Sequence, residues 1–276
     1  MTRHEGPIVV GIDGTALIAG SVTAAIELGA AEAERRHVDL HLVHSYAAET
    51  TTAVTTARQT LDQLVDRTVA AYPDLDVTGD LRLGSAANAL VAISATASIV
   101  VMCADARVHY GGLQAGLVSV QVAGHSLAPV IVVPAPRARP ATGDRALVVV
   151  GIDGSPACAD AIAFAFEEAA ARDAVLHAVS AWNRPSQQDS PQRAVEEMLC
   201  HATDIWARKY PDVAVVCTAV GSTNPVQALG DAAANADLIV VGARGAGGFD
   251  ALELGSVSDG LVRFARTNIA VVRNAG

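Results

Sequence analysis

The sequence predicts two tandem α/β domains, each a doubly wound parallel sheet of the Rossmann-like kind. The chain is duplicated, since IVVGIDG at residues 8–14 returns as VVVGIDG at residues 148–154, with six consecutive residues identical at an offset of 140. Short β-branched runs alternate with alanine-rich helical stretches in both copies, which favours parallel strands covered by helices on both faces. A segment with three prolines, residues 134–146, separates the copies as a linker.

Further segments of the two copies correspond. SIVVM at residues 98–102 matches LIVVG at residues 238–242, and PVIVV at residues 129–133 matches NIAVV at residues 268–272. The repeat is as long as a domain, so it indicates a two-domain duplication and not a solenoid of many short repeats. We therefore assign an N-terminal domain to residues 1–139 and a C-terminal domain to residues 140–276.

The pattern of each copy predicts alternating strands and helices. Helices are predicted at residues 21–34, 56–71 and 86–96 in the first copy, and at residues 157–171, 193–210, 225–235 and 259–265 in the second. Right-handed crossovers then give an open sheet that binds ligands beyond the carboxyl ends of its strands. Because Asp153 and Gly242 both follow such strand ends, we expect them to lie close together.

Composition excludes several function classes. A formal charge of −10 and an isoelectric point of about 5.2 oppose binding to nucleic acid or to an anionic membrane. No run of eighteen apolar residues predicts a membrane span, and the N-terminus reaches Asp13 before it could form a signal-peptide core. The four cysteines are far apart in sequence without a CxxC pair, which favours a reducing, cytoplasmic location and roles as small buried hydrophobic residues.

The most informative stretch is VVGARGAGGFDALELGSVS, residues 240–258. It is not a P-loop, because the chain's single lysine is Lys209, and it is not a dinucleotide fingerprint, because the third glycine position falls on Asp250. The remaining Gx2Gx9GS pattern comprises Gly242, Gly245, Gly255 and Ser256. Glycines allow backbone N–H groups to approach an anion closely. A plain strand-to-helix loop with Ser256 as a helix cap is an equally good interpretation of the glycines alone.

Together, VVGIDGS, the strand VLHAVSAW and GARG…GSVS resemble the universal stress protein family in its tandem-domain, ATP-binding type. The resemblance covers nearly the whole chain. It implies HUP-type domains related to other adenine-nucleotide binders, with ATP as the ligand, with or without Mg²⁺. Asp250 and Glu253 are either water-mediated Mg²⁺ ligands or part of a solvated face. The implied binding residues are Gly151, Asp153, Ala181, Gly242, Ala243, Arg244, Gly245, Gly247, Gly248, Gly255, Ser256 and Val257.

The resemblance also implies individual roles. Backbone amides of the glycine loop would wrap the triphosphate, while Asp153 would reach the ribose or the adenine side. The backbone near Ala181 would read the adenine edge, and Gly151 would leave room for the nucleotide. Arg244 is either a cation close to phosphate or an ordinary solvated arginine.

The first copy departs from this motif. Met102, Asp105 and Leu117 stand where the second copy has glycine, glycine and serine. A bulky side chain and a carboxylate both oppose close approach by a triphosphate, so we expect the N-terminal site to be weakened, altered or empty. Its weaker candidate residues are Gly11, Asp13, Ser45, Gly116 and Ser119.

These observations favour a sensor or regulator that holds an adenine nucleotide, ATP, mainly in its C-terminal domain. No catalytic residue and no metal site are identified, so a slow ATPase or nucleotide hydrolase is the alternative, followed by a nucleotide-free interaction module. The final runs PVIVV and NIAVV would be edge strands, which must be covered. Universal stress domains resembling these pair as dimers, so the resemblance implies an intrachain pseudo-dimer or a homodimer.

Overall fold

The computed structural model divides the chain into two compact units, Met1–Pro136 and Arg137–Gly276. It describes residues 6–12, 20–46, 50–104, 118–135, 145–182, 192–245, 254–264 and 266–274. The predicted domain boundary after residue 139 falls outside these described residues and stays a prediction. The predicted fold class is confirmed, since strands and helices alternate in both units and the paired strands run parallel.

The N-terminal unit has a parallel sheet in the order β3-β2-β1-β4-β5. Its strands are β1 (Ile8–Ile12), β2 (Leu40–Tyr46), β3 (Val77–Leu83), β4 (Ile99–Cys103) and β5 (Val130–Val133). Its helices are α1 (Ser21–Arg36), α2 (Thr51–Ala71), α3 (Ala86–Ile93) and α4 (Val118–His125). β1 and β4 are buried along their whole length. Continuous apolar runs such as IVVGI and IVVMC are what central strands covered on both faces require.

The C-terminal unit repeats the arrangement in the order β10-β9-β6-β7-β8. Its strands are β6 (Leu147–Gly151), β7 (Val175–Trp182), β8 (Val215–Gly221), β9 (Leu238–Gly242) and β10 (Ile269–Val272). Its helices are α5 (Cys158–Ala171), α6 (Gln192–Lys209), α7 (Pro225–Ala232) and α8 (Ser256–Phe264). The chain proceeds from β6 to one side and then crosses to β9 on the other. The carboxyl ends of β6 and β9 therefore flank the switch point, where open α/β sheets bind ligands.

Each unit buries a glutamate near the end of the helix that follows its first strand. Glu32 on α1 and Glu168 on α5 are completely buried. Glu32 pairs with Arg35 and Arg36, and Glu168 pairs with Arg172, in the last helical turn or just after it. A buried carboxylate requires such a partner because its isolated charge would be strongly destabilised by the loss of water.

The cysteines correct one expectation from the sequence. Cys103 and Cys158 are buried, as expected of small hydrophobic residues, but Cys200 on α6 is exposed and Cys217 on β8 is only half-buried. Cys200 and Cys217 are also neighbours in space, although sixteen residues separate them in the chain. Helix α6 packs on strand β8 and brings them together, which the spacing of the cysteines did not indicate.

Within the described ranges, no helix combines the length and the apolar character needed to span a bilayer.

The buried ion pair on α5 gives a first prediction. Replacing Glu168 by alanine should lower the free energy of unfolding by about 3 kcal/mol, because it leaves the Arg172 guanidinium in a mostly buried position without its carboxylate. The matched control is Glu197→Ala, which breaks an exposed pair with Arg193 and should cost less than about 1 kcal/mol. Urea unfolding measures both. Equal losses in the two variants would contradict a structural role for the buried pair.

Candidate functional site

A cleft of about 230 Å³ opens at the carboxyl ends of β6, β7 and β9 in the C-terminal unit. Most of the residues predicted from the sequence line it: Gly151, Asp153, Ala181, Gly242, Arg244, Gly245, Gly255, Ser256 and Val257. Val257 and Ser256 come from the start of α8, whereas Ala243 is buried behind the lining. The predicted residues Gly247 and Gly248, together with Asp250 and Glu253, lie outside the described residues.

The described part of the glycine loop is tightly folded. A Cβ atom on Gly242 would lie 3.1 Å from the Arg244 carbonyl oxygen, and one on Gly255 would lie 3.3 Å from the Ala243 carbonyl oxygen. The Gly255 N–H also donates a hydrogen bond of 2.8 Å to the Ala243 carbonyl. The two ends of the loop therefore touch, and they leave space for backbone but hardly for side chains.

The Asp153 carboxylate lies directly against this loop. A Cβ atom added to Gly245 would overlap Asp153 Oδ2. The other oxygen, Oδ1, accepts hydrogen bonds of 2.9 Å from the Ser155 backbone N–H and from the Cys158 thiol. The turn after β6 thus contacts the loop after β9, as predicted from their positions at the carboxyl ends of strands.

The sequence analysis missed Cys158. This residue begins α5, lines the cleft, and has a thiol that donates to Asp153 Oδ1. Burial raises the pKa of the Cys158 thiol, and its hydrogen bond to Asp153 raises that pKa further. The thiol therefore stays protonated and acts as a donor that orients the carboxylate. The only signal in the sequence was its spacing, five residues after Asp153 in the first turn of a predicted helix.

Gly151 lines the cleft and also has a packing role. A Cβ atom on Gly151 would lie 3.1 Å from Leu229 Cδ1 and 3.2 Å from Val241 Cγ1, so the space beside this glycine is filled by protein. Gly11 repeats the arrangement in the N-terminal unit, where a Cβ atom would lie 2.8 Å from Leu90 Cδ1. These two glycines allow helices α7 and α3 to pack closely on the sheet.

Helix α8 begins earlier than expected, at Ser256 and not at residue 259. The Asp259 N–H donates to the Gly255 carbonyl at 2.8 Å, so Gly255 precedes the helix and Ser256 is its first residue. The interpretation of Ser256 as the helix cap is therefore wrong. Ser258 makes the structural contact instead, since its hydroxyl donates to the Gly242 carbonyl at 2.6 Å. This bond fixes the N-terminus of α8 against the end of β9, beside the cleft.

The side of the cleft where the resemblance implies the adenine ring is mainly apolar. Ile152, Val179 and Val241 line the cleft together with Ala181, which lies near the end of β7. On the far side, α7 begins at Pro225 because the Asn224 side chain caps it by accepting a 3.1 Å hydrogen bond from the Gln227 N–H. The cleft therefore has apolar walls from the strands and a polar rim from the two loops.

The corresponding region of the N-terminal unit is only partly described. Met102 and Ser119 are buried, and Ser45 is half-buried. The predicted residues Asp13 and Gly116 lie outside the described residues, as do Asp105 and Leu117. The weakening of the N-terminal phosphate site therefore stays a prediction. Among the residues that the structure describes, no group of three or more His, Cys, Asp or Glu side chains could hold a metal ion.

Comparison with known proteins gives consistent matches. A sequence profile described as the universal stress protein family matches residues 147–273. Universal stress protein Rv2005c of Mycobacterium tuberculosis is 31% identical, with 99% of each chain covered. Universal stress protein Rv1996 of the same organism is 35% identical over 209 residues, 71% of this chain. The chain spans 65% of the length of Rv1996.

A full-length solved structure shares the fold. A universal stress protein from Archaeoglobus fulgidus has a TM-score of 0.72 at 17% identity, covering 98% of this chain and 97% of that one. Another universal stress protein, solved in complex with cAMP, is 27% identical with a TM-score of 0.37, covering 47% of this chain and 98% of that one. The full-length similarity to Rv2005c, together with the profile match over the C-terminal unit, shows that the chain belongs to the universal stress protein family.

Proposed function

We propose that the C-terminal unit binds an adenine nucleotide, ATP, and that the protein is a nucleotide-dependent regulator of the stress response. The observation that carries this proposal is the cradle at the switch point. Cβ atoms on three glycines there would meet carbonyl oxygens or a carboxylate, so side chains are excluded and only backbone lines this part of the cleft. Backbone N–H groups at a helix N-terminus are favourable partners for phosphate.

The phosphates would be bound by backbone N–H groups of Gly242, Arg244, Gly245, Ser256 and Val257, because those of Ala243 and Gly255 already donate to the Val272 and Ala243 carbonyls. The N-terminus of α8 adds the positive end of the helix dipole, and Ser258 holds that end in place through its bond to the Gly242 carbonyl. Arg244 lines the cleft and supplies a cationic side chain. These groups can bind a phosphate chain without the lysine of a P-loop.

The nucleoside would lie on the strand side of the cleft. Ile152, Val179 and Val241 offer an apolar surface for the adenine ring, and the backbone at Ala181 offers hydrogen-bonding groups for its edge. Asp153 would accept from ribose hydroxyls, and its orientation is fixed by the Ser155 N–H and the Cys158 thiol. An accepting carboxylate suits a sugar better than a phosphate, so the ribose would lie between the ring and the loop.

Regulation is favoured over rapid catalysis by the chemistry of the lining. Its described titratable side chains are Asp153, Cys158 and Arg244, with no histidine among them. A protonated thiol and a guanidinium are poor general bases, and Asp153 already accepts two hydrogen bonds through Oδ1. A slow ATPase is the alternative function, with Mg²⁺ carried by the triphosphate. Release of labelled phosphate from ATP distinguishes the two.

A cytoplasmic location and pairing of the domains belong to the same proposal. β5 and β10 each lie at the edge of their own unit's sheet, where an unpaired strand needs a cover. Pairing of the two halves as a pseudo-dimer, or of two chains as a homodimer, would supply it. Small-angle scattering and sedimentation of the full chain test both forms of assembly.

Mass spectrometry of the gently purified protein is the direct test of the ligand. It should detect an adenine nucleotide released on denaturation, at about one equivalent per chain. Protein that carries no nucleotide and also binds none in titrations with ATP, ADP or cAMP would favour the nucleotide-free interaction module.

Substitution of Gly245 should abolish binding. Gly245→Glu should weaken ATP binding at least about 100-fold, since its Cβ would overlap Asp153 and its carboxylate would repel phosphate. The matched control is Gly230→Glu, which adds the same side chain to α7 at a position with nothing within 4 Å of a Cβ atom. Isothermal titration measures affinity, and circular dichroism checks folding. Unchanged affinity in folded Gly245→Glu protein would remove the loop from the site.

The two units should differ in binding. Met102 is buried at the end of β4, in the position that Gly242 occupies in the C-terminal unit. Its side chain and the Asp105 carboxylate are expected to disfavour phosphate in the N-terminal unit. Calorimetry on the full chain should therefore give about one tight site for ATP. Two sites of equal affinity would show that the N-terminal loop forms a cradle without the Gx2Gx9GS pattern.

A further inference from the structure

Two thiols of the C-terminal unit meet between α6 and β8, away from the nucleotide cleft. The Cys200 thiol is close enough to the Cys217 thiol to raise its pKa. Neither residue lines the cleft, and the proposed nucleotide binding uses neither of them. The proposed nucleotide site therefore does not explain why this thiol pair, Cys200 and Cys217, lies between α6 and β8.

Contacts around Thr203 locate the pair independently. Thr203 is buried on α6, and its hydroxyl donates to the Leu199 carbonyl at 2.9 Å and lies 3.2 Å from the Cys200 carbonyl. The same oxygen lies 4.0 Å from Cys217 Sγ on β8. Residues three apart lie on the same face of a helix, so Cys200 and Thr203 point to the same side. The buried face of α6 that carries Thr203 thus contacts Cys217, and the exposed Cys200 lies one turn earlier beside that face.

The register of the sheet explains why this contact is close. Cys217 pairs with Ala178, just as Gly79 pairs with Leu42 in the N-terminal unit. A Cβ atom on Gly79 would lie 2.9 Å from Val65 Cγ2, so helix α2 lies almost on the backbone of β3 at this point. In the C-terminal unit the equivalent position carries a short sulfur side chain, directed at the covering helix.

The two cysteines differ in exposure, which suits a two-step reaction. Cys200 is exposed and can meet a reagent from solution, whereas Cys217 is half-buried behind it. Burial raises the pKa of the Cys217 thiol, and the neighbouring Cys200 raises it further. The exposed thiol is thus the first to react, and the buried one is protected until its neighbour has changed.

We propose that Cys200 and Cys217 are a redox modification site, oxidised by a hydroperoxide to an intrachain disulfide that fastens α6 to β8. The Cys200 thiolate attacks the peroxide, its sulfur is oxidised to sulfenic acid, and the O–O bond breaks to release water or an alcohol. The Cys217 sulfur then attacks Cys200 Sγ, the S–O bond breaks, and a second water leaves with the Cys217 proton. Two thiols and one peroxide thus give one disulfide, one water, and one further water or alcohol.

Oxidation of the full-length protein tests the proposal. The reduced protein is treated with one equivalent of hydrogen peroxide, alkylated under denaturing conditions and digested with trypsin without reductant. Cys200 and Cys217 fall in different tryptic peptides, residues 194–208 and 210–244. The expected result is one species in which these peptides are joined, lighter than their sum by two hydrogen atoms, and separated by dithiothreitol. Peptides alkylated separately at both cysteines would overturn the proposal.

Variants assign the reaction to the pair. In Cys200→Ser the joined peptide should disappear and Cys217 should remain alkylatable, while Cys103→Ala should oxidise like the original chain. Cys200 joined to another chain, or overoxidised beside a free Cys217 thiol, would contradict the proposal. Phenylarsine oxide tests proximity without an oxidant, because trivalent arsenic binds tightly only when two thiols bridge it. It should protect both cysteines from alkylation in the unmodified chain, and failure to do so would also overturn the assignment.

Discussion

Close contact between the Asp153 carboxylate and the Gly245 backbone is the constraint on which the candidate site depends. The two residues belong to distant parts of the sequence and meet because β6 and β9 are parallel neighbours at the switch point of the sheet. The contact leaves no room for a side chain at residue 245. It therefore fixes a glycine at this position, and with it a stretch of exposed backbone beside a carboxylate.

The surrounding structure holds these two segments in place. The Ser258 hydroxyl anchors the start of α8 to the end of β9, and the Gly255 N–H closes the loop on Ala243. On the other side, the Cys158 thiol and the Ser155 N–H orient the Asp153 carboxylate. The backbone N–H donors at the start of α8 and the accepting Asp153 carboxylate thus face the same cleft. This combination of donor and acceptor fits a ligand with both phosphate and sugar hydroxyl groups.

The duplication and the alternation of strands with helices were sufficient to predict the fold. They also predicted that Asp153 lies near the glycine loop. Contacts that depend on tertiary packing could not be predicted. Nothing in the pattern VVGIDG indicates that the space beside Gly151 is filled by Leu229, because the partner comes from a helix far along the chain. For the same reason, cysteine spacing did not reveal that Cys200 and Cys217 are neighbours. Glycine identity showed where side chains are excluded, but not what excludes them.

The central claim is that backbone amides of the C-terminal glycine loop contact the phosphates of ATP. Amide spectra of isotopically labelled full-length protein, recorded during titration with ATP, measure this residue by residue. The account predicts large shifts for the amides of Gly242, Gly245, Ser256 and Val257, saturating together, while the Gly11 amide in the N-terminal unit stays unchanged. Saturable shifts confined to other parts of the chain, or no shifts at concentrations of ATP that exceed those in cells, would contradict it.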